Sequence, residues 1–314
     1  ELYKQNGHYI GKNVTLGNGS IIIANTIHIE DNVSIGENTF IEIPEVKIGK
    51  NTKIGIEGSF VASSLIIDHD VYIGDRVSVD ISGGRHFDSN LKVGYGSLIS
   101  NESYINACRE VILGSQAALS PRSMIFTHSY WQSVLDGYTS NFGPVEMKDN
   151  SWLGAAAQIL PNIIVGEGSI IMSNSVVGSN VSEYSLVGGI PAQKIRENIN
   201  HQMNQNQKIN ELEKLIDEFS IFIQELGYKV SSIDGSSISI EDNGKKRILS
   251  ILPHGQNEAL ENLDIVICFP KDEFLDKAAN SVFCIEESSF RGTFSKIESV
   301  IHAFLRRKGI RFYI

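Results

Sequence analysis

A six-residue period dominates this chain from Ile10 to about Ile190. In each unit an aliphatic residue is often followed by a small or acidic residue, and a small or β-branched residue stands four places on, as in Ile48-Gly49-Lys50-Asn51-Thr52. Such a period is typical of stacked repeats, in which a short strand and a turn bury their apolar face only against neighbouring repeats. The sequence therefore predicts a parallel β-solenoid with three units per coil. The hairpin turns and alternating polarity of a β-sandwich are missing.

Length and composition indicate a globular protein with a second domain. The chain has 314 residues, of which 41% are hydrophobic and 20% charged. The net charge of −10 disfavours a nucleic-acid partner, and no run approaches the roughly 20 apolar residues of a transmembrane helix. Three widely spaced cysteines without a visible signal peptide predict a cytoplasmic protein with reduced thiols. The chain begins at Glu1 rather than methionine, so the sequence leaves open a preceding segment.

The composition changes near residue 196. We expect a β-helix over 1–196, a polar linker and amphipathic helix over 197–227, and an accessory α+β domain over 228–314. Apolar residues in the helical segment recur at spacings of three and four, and this seam fits either a helix that packs on its own domain or a trimeric helical bundle. The seam residues are Ile209, Leu212, Ile216, Phe219, Ile223 and Leu226.

The last part alternates short strands with a helix. Runs of β-branched and aliphatic residues between turn signals predict the strands, and an apolar helical period with a basic last turn predicts the helix over 294–308. The predicted strands cover 228–233, 237–240, 247–252, 264–269, 282–285 and 310–314.

The repeat is interrupted between Thr127 and Pro144 by a long loop that begins with His128. A regular solenoid has no packing use for this loop, and loops on rigid scaffolds tend to carry function. Imidazole has an ordinary pKa near 6.5, so it can take a proton from a hydroxyl at neutral pH and return it to a leaving group. His128 is therefore the predicted general base.

Four segments around this loop resemble the left-handed β-helix, hexapeptide-repeat acyltransferases. They are Phe126-Thr127-His128-Ser129, Gly143-Pro144-Val145, Trp152-Leu153-Gly154-Ala155 and the run from Leu186 to Arg196. The resemblance covers about residues 90 to 196. It implies a left-handed coil, acetyl-CoA as the acyl donor and a homotrimer with active sites between subunits. The spacing of His128 and Trp152 resembles most the bacterial sialate and capsular polysaccharide O-acetyltransferases.

The resemblance also assigns roles on the donor side. It implies that the Trp152 indole N–H, or backbone N–H groups, stabilise the oxyanion, whereas the alternative for Trp152 is packing in the core. Lys194 and Arg196 then meet coenzyme phosphates, or else form a solvated chain end. Asn101 stands beside the position where relatives often have an asparagine, so it is a candidate for orienting the acceptor. The residues expected along the pantetheine arm are Gly154, Ala155, Ala156 and Ser173.

The acceptor is expected to be a carbohydrate. Tyr130, Trp131 and Tyr138 in the long loop can stack on sugar faces, or they can pack the loop down. His86 lies in a second, shorter break over 82–90 and either lines the acceptor site or is a polar loop residue. No metal is expected, because His128 has no second histidine within a few residues.

Together these features predict an acetyl-CoA-dependent O-acetyltransferase that modifies a sugar hydroxyl of a bacterial surface polysaccharide. An N-acetyltransferase acting on a nucleotide-linked amino sugar would use the same base. A non-catalytic solenoid that serves as a scaffold is the third alternative. The last 110 or so residues carry no motif that assigns them a role.

Overall fold

The structure is a computed structural model that describes residues 7–200, 203–242, 244–252, 263–269 and 279–312. The chain divides into two compact units, Glu1–His201 and Gln202–Ile314. The first unit is a parallel β-solenoid whose strands form three sheets, one on each face of a triangular prism. This confirms the mainly β class and the parallel β-helix predicted from the six-residue period.

Consecutive coils contribute one strand to each face. The first face contains Tyr9–Ile10, Thr26–Ile29, Glu45–Ile48, Ser64–Ile67, Asn90–Val93, Val111–Leu113, Val145–Met147 and Ile163–Val165. The second contains Thr15–Leu16, Ser34–Ile35, Lys53–Ile54, Tyr72–Ile73, Leu98–Ile99, Ala118–Leu119, Trp152–Leu153, Ile170–Ile171, Leu186–Gly189 and, antiparallel, Ala192–Arg196. The third contains Ile21–Ile23, Phe40–Glu42, Ser59–Val61, Ser78–Asp80, Tyr104–Asn106, Met124–Ile125, Gln158–Ile159 and Val176–Val177.

The six-residue period explains this arrangement directly. The aliphatic residue that opens each unit points into the prism, and in register it stacks on its equivalents, as Ile48 does on Ile29 and Ile67. The corners are tight: Asn32 and Asn51 adopt positive φ of 60° and 59°. Their side chains also form a hydrogen-bonded ladder, because Asn32 Nδ2 lies 3.1 Å from Asn51 Oδ1. Asparagine tolerates this backbone conformation better than most residues do.

Two loops leave the solenoid at the same edge of the prism. The first follows Ser78–Asp80 on the third face and returns at Asn90–Val93 on the first face. The second follows Met124–Ile125 and returns at Val145–Met147. Both breaks therefore lie between the third and first faces, and two coils, over 90–106 and 111–125, separate them. Residues far apart in sequence are brought together at this edge.

The second unit has a mixed sheet of six described strands in chain order. The five strands predicted from the sequence over 228–285 are present, with bounds shifted by up to three residues. The sixth, Ser289–Gly292, was missed because its four residues resemble a turn. The strands are Lys229–Asp234, Ser237–Asp242, Lys245–Leu252, Leu263–Cys268, Ala279–Cys284 and Ser289–Gly292.

Two described helices pack on this sheet, α1 (Gln205–Glu225) and α2 (Lys296–Arg307). A capping box between Asn204 and Gln207 starts α1. Its buried seam residues, among them Ile216 and Phe219, pack in one cluster with sheet residues. The seam is thus covered within the second unit, which decides between the two sequence alternatives. An apolar helix face needs a partner, and α1 finds it in this sheet, within the unit Gln202–Ile314.

The final strand predicted over 310–314 is wrong for residues 310–312, which form no strand, and 313–314 lie outside the described residues. Phe312 is buried instead, and its ring lies 5.0 Å from that of Phe283. Its carbonyl oxygen is 3.1 Å from His302 Nε2 on α2. Packing against the core therefore fixes this segment, without pairing to the sheet edge.

A buried ion pair ties α2 to the sheet. Glu298 is fully buried in the first turn of α2, and its two carboxylate oxygens accept hydrogen bonds from Arg247 at 2.5 and 3.1 Å. Ser281 Oγ donates a further bond at 2.8 Å. Burial alone would raise the pKa of Glu298, but the bonds from Arg247, Ser295 and Ser281 outweigh it and lower the pKa to about 2. Glu298 is therefore ionised at neutral pH.

Candidate active site

His128 lies at the root of the long loop. The short strand His128–Ser129 pairs antiparallel with Asn141–Phe142, which closes the neck of the loop. The imidazole is half-buried, with its ring stacked 5.9 Å from that of Phe142 and tilted 5.5 Å from that of Tyr130. The rigid solenoid on one side and this aromatic neck on the other therefore hold the imidazole in place.

The imidazole contacts a buried asparagine from the preceding coil. His128 Nδ1 lies 2.8 Å from Asn106 Oδ1. Asn106 is fully buried at the end of the third-face strand Tyr104–Asn106, and its Nδ2 donates to Asp80 Oδ1 at 2.9 Å and to the Ser82 carbonyl at 2.7 Å. Thr127 Oγ1, also buried, lies 2.8 Å from Asn106 Oδ1. Side chains from three consecutive coils thus meet at His128.

Asp80 is an ionised group next to this network. Burial alone would raise its pKa, but hydrogen bonds from Ser82, Asn106 and Tyr104 outweigh burial and hold the pKa of Asp80 below its usual range. For His128, burial lowers the pKa, and the negative charge of Asp80 opposes this only in part. The imidazole is therefore neutral at pH 7, as a general base must be.

Gly83, in the first loop, lies directly against the imidazole. A Cβ built on Gly83 would lie 2.9 Å from His128 Cγ and 3.2 Å from Cys108 Sγ. Its φ of +100° is also rare for residues with side chains. The first loop therefore forms one wall of the His128 site, and only glycine fits there.

Gly83→Ala is expected to lower kcat by about 10²-fold, because a displacement of about 1 Å at a reacting group can cost that much. Gly84→Ala is the matched control: its φ is +102°, and nothing lies within 4 Å of a Cβ built there. Steady-state kinetics and thermal unfolding of both variants test this. Equal loss of activity in both variants would show that backbone strain, and not contact with His128, is responsible.

The predicted acceptor residues lie around the two loops. Trp131 is 89% exposed, and Tyr130 and Tyr138 are also exposed. His86 Nδ1 pairs with the Asp88 carboxylate, and its ring contacts that of Phe87, which is 86% exposed. The alternative that the three aromatics only pack the long loop down is therefore wrong for Trp131. Both loops present aromatic surface at the edge of the prism that carries His128.

Trp152 lies on a different part of the prism, the second face. Its ring is 48% exposed, so it does not pack in the core. Its Nε1 donates to Ser120 Oγ at 2.7 Å, because Ala118 and Trp152 are register partners on adjacent strands and Ser120 lies two residues beyond Ala118. Within one chain the indole therefore lies on a different face from His128, and its role as an oxyanion donor stays a prediction.

The predicted pantetheine residues follow Trp152 around the next edge. Gly154 is buried, and a Cβ there would lie 2.5 Å from Ser173 N, so coil stacking already requires this glycine. Ala155 and Ala156 are partly exposed, and Ser173 is exposed on the next coil. Lys194 and Arg196 are exposed on the closing antiparallel strand, where Lys194 Nζ pairs with Glu197. The structure brings these residues to one side of the prism, away from the edge that carries His128.

Asn101 is not at this site. It lies at a turn after the second-face strand Leu98–Ile99, and its Oδ1 accepts a hydrogen bond from the Asp75 N–H at 3.1 Å. This bond ties its side chain to the turn of the neighbouring coil, and its role in orienting the acceptor stays a prediction. Asn106 is the asparagine that contacts His128.

Sequence reasoning missed Asp80, Asn106 and Gly83. One signal was available: Asp80 and Asn106 are register partners at the end of successive third-face strands. Both precede the edge from which a loop emerges, and both are polar where a solenoid needs no polar group. The first loop lengthens the sequence between Asp80 and Asn106, so their pairing is not visible from the six-residue period alone.

Comparison with known proteins agrees with this architecture. The family described as bacterial transferase hexapeptide, six repeats, matches residues 144–179, which include Trp152 and Gly154. The coils within residues 144–179 are therefore similar to bacterial transferase hexapeptide repeats. This confirms the family resemblance predicted from the sequence.

Curated proteins that are similar to this chain are named as acetyltransferases. A Staphylococcus aureus protein so named is 26% identical over 126 residues, which are 39% of this chain and 63% of that protein. The chloramphenicol acetyltransferase of Morganella morganii is 30% identical over 101 residues, 32% of this chain and 48% of that enzyme. The chain thus spans less than two thirds of the length of these relatives.

Solved structures of the same fold include the polysialic acid O-acetyltransferase OatWY, with a TM-score of 0.44 and 20% identity over 62% of this chain and 93% of that chain. The polySia specific acetyltransferase NeuO matches with a TM-score of 0.38 and 14% identity over 70% of this chain and 100% of that chain. At these values the similarity does not extend to activity or acceptor.

Two further observations concern the described part of the chain alone. Its helices include none that is long and apolar enough to cross a membrane. Among the same residues, no group of three or more His, Cys, Asp or Glu side chains is placed to hold a metal ion.

Proposed function

We propose that the protein is an acetyl-CoA-dependent O-acetyltransferase that modifies a sugar hydroxyl of a bacterial surface polysaccharide, with His128 as general base. The observation that carries the proposal is a half-buried imidazole with a lowered pKa at the root of an aromatic loop. The acetyltransferase names of the curated relatives support the donor. Half-burial also leaves one side of the ring accessible to substrate.

The reaction is a direct transfer within a ternary complex. His128 takes the proton of the acceptor hydroxyl while that oxygen attacks the thioester carbonyl carbon of acetyl-CoA. The tetrahedral intermediate then expels the coenzyme thiolate, which receives the proton from the imidazolium. The products are an acetyl ester of the sugar and free coenzyme A, and His128 is returned to its neutral form. A base with a pKa near or below neutrality suits both proton transfers.

The acceptor lies against the two aromatic loops. Tyr130, Trp131 and Tyr138 present flat apolar faces, which complement the apolar face of a sugar ring and cost little side-chain entropy to hold. His86 and Phe87 extend this surface on the first loop. A polymeric acceptor explains why the exposed aromatics extend beyond the immediate neighbourhood of one hydroxyl.

The donor residues and the base meet across a subunit interface in a homotrimer. Trp152, Gly154, Ala155, Ala156 and Ser173 line the second face and the edge after it, so in a single chain they are separated from His128. The exposed side of the second face is apolar over six coils, and such a patch is typical of an interface. The residues that point outward on this face pair in register from coil to coil and are Tyr72, Leu98, Ala118, Trp152, Ile170 and Leu186.

A shared site makes mutual rescue possible. His128→Ala and Trp152→Ala are each expected to be nearly inactive as homotrimers. Mixed trimers formed by co-expression should recover about one third of the wild-type sites, since one of the three interfaces in each mixed trimer joins an intact His128 to an intact Trp152. Differently tagged subunits and tandem purification isolate the mixed trimers. If both residues act within one chain, no activity returns.

The proposed function is tested by release of free thiol from acetyl-CoA in the presence of candidate acceptors. The panel contains bacterial polysaccharides, including polysialic acid, and nucleotide-linked amino sugars. We expect release with a polysaccharide and none without acceptor. Release only with amino sugars would replace O-acetylation by N-acetylation, and no release with any acceptor would favour a scaffold.

A further inference from the structure

A chain of hydrogen-bonded side chains leads away from the imidazole. Asn106 Oδ1 lies 2.8 Å from His128 Nδ1, and Asn106 Nδ2 lies 2.9 Å from Asp80 Oδ1. Asp80 in turn accepts hydrogen bonds from the Ser82 N–H and from the Tyr104 hydroxyl, both at 3.0 Å. The contacts therefore form one connected relay, which we define as Asp80, Asn106 and His128.

The orientation of the Asn106 amide follows from its neighbours. Its Nδ2 faces two acceptors, the Asp80 carboxylate and the Ser82 carbonyl. A flipped amide would set its oxygen against both of these buried acceptors and lose both hydrogen bonds, which is costly. The oxygen therefore faces His128. Because that oxygen can only accept, Nδ1 of the neutral imidazole carries the proton and Nε2 carries the lone pair.

We infer that Asp80 and Asn106 are positioning residues, which hold His128 in the one tautomer and ring orientation that leaves Nε2 free to take the acceptor proton. The inference rests on the proposed function for the direction of proton transfer, but the tautomer itself follows from the hydrogen bonds. A base whose lone pair points at Asn106 instead of the substrate cannot work, and an incorrect histidine tautomer is known to be a severe defect in enzymes.

The charge of Asp80 has a second effect. When His128 takes a proton it becomes an imidazolium. The Asp80 carboxylate, from which only Asn106 separates the ring, stabilises that positive charge. Four other titratable or charged groups lie close to the ring. They are Tyr104, which donates to Asp80, Cys108, which lies next to Gly83, Tyr130, whose ring contacts the imidazole, and Arg109. The Arg109 guanidinium lies 4.8 Å from the centre of the Phe142 ring, on which His128 also stacks. The negative charge of Asp80 raises the pKa of His128 and so partly offsets the effect of burial.

The relay is also stiff, as a positioning device must be. Its members lie on or just beyond third-face strands of three successive coils, Ser78–Asp80, Tyr104–Asn106 and Met124–Ile125. Asn106 is fully buried, and Thr127 Oγ1 lies within hydrogen-bonding distance of its Oδ1. The backbone ladder of the solenoid therefore sets the spacing between Asp80, Asn106 and His128.

The tautomer can be measured without any activity. In the full-length protein labelled with ¹⁵N-histidine, two-bond ¹H–¹⁵N correlations identify the protonated ring nitrogen, and His128→Gln assigns the signal. We expect the Nδ1–H form in the wild type and a loss of that form in Asn106→Ala. Asn32→Ala, in the remote corner ladder, is the matched control and should leave it unchanged. An Nε2–H form in the wild type, or an unaltered tautomer in Asn106→Ala, would overturn the inference.

Kinetics then tests the roles in catalysis. Asn106→Ala should lower kcat on the order of 10²-fold with little change in KM for acetyl-CoA. Asp80→Asn keeps the shape of the side chain but removes its negative charge, which stabilises the imidazolium in the wild type. The pKa of His128 should therefore fall, and the acid limb of the kcat/KM profile should move to lower pH. A purely structural role would leave that limb in place and overturn the inference. The predicted tautomer in a protein that is inactive with every acceptor would support the relay and reject the proposed function.

Discussion

His128→Gln is expected to lower kcat for acetyl transfer by about 10²- to 10⁴-fold, the usual contribution of a general base. Glutamine approximates the size of the imidazole and can still hydrogen-bond to Asn106, but it cannot accept a proton at neutral pH. Binding of acetyl-CoA should persist, because the coenzyme contacts are assigned to other residues, among them Ala155, Ser173 and Lys194, and not to His128. Thiol release with the best acceptor, and equilibrium binding of acetyl-CoA, separate the two effects.

The pH dependence of the wild type gives the same base a second signature. Burial lowers the pKa of His128, so kcat/KM should rise with pH through a value below the ordinary histidine pKa and then level off. His28→Gln is the matched control, since His28 stacks on Tyr9 several coils away. Full activity of His128→Gln with an unchanged pH profile would remove His128 from the mechanism.

Arg247→Met should destabilise the second unit by about 3–5 kcal/mol, because it leaves the buried carboxylate of Glu298 without its cation. Amide hydrogen exchange of α1 and α2 measures this in the whole protein. Both tryptophans lie in the solenoid, so their fluorescence should report no change there. Lys308→Met is the matched control. It removes an ion pair with Glu218 that is largely exposed and is worth at most about 1 kcal/mol.

The effect of Arg247→Met depends on pH in a defined direction. The pKa of Glu298 falls from 4.5 to about 2 in the folded state, so the stabilisation is complete above pH 4.5 and is lost as pH falls towards 2. The difference between wild type and Arg247→Met should therefore be largest near neutrality and shrink in acid. Adding Glu298→Leu to Arg247→Met should restore part of the stability, since no buried charge then remains. A difference that is constant with pH would contradict this account.

The sequence period predicted the solenoid well because each unit needs only local information. An aliphatic residue points inward and a glycine or asparagine turns the corner, as Ile48 and Asn51 show, and stacking repeats the same contacts. His128 was found because it stands where that period breaks. The helix α1 was also predicted, but its partner was not, since one apolar seam fits a sheet or another helix equally well.

The rest of the site depends on which coils lie next to one another. Asn101 and Asn106 are five residues apart, yet one caps a turn and the other holds the imidazole, and only the register between coils decides this. That register spans 26 residues from Asp80 to Asn106, because the first loop lengthens the coil. Trp152 was singled out from the sequence, but its position on the second face could not be predicted without counting coils through both loops.

The central claim is that His128 removes the proton of a sugar hydroxyl as that hydroxyl attacks acetyl-CoA. Identifying the bond that joins the acetyl group to the product tests this claim most directly. The product of the best acceptor is analysed by mass spectrometry before and after mild alkali, for wild type and His128→Gln. The account predicts an added acetyl group that alkali removes and that the variant does not form. An alkali-stable acetyl group would indicate an amide, and equal product from the variant would contradict the role of His128.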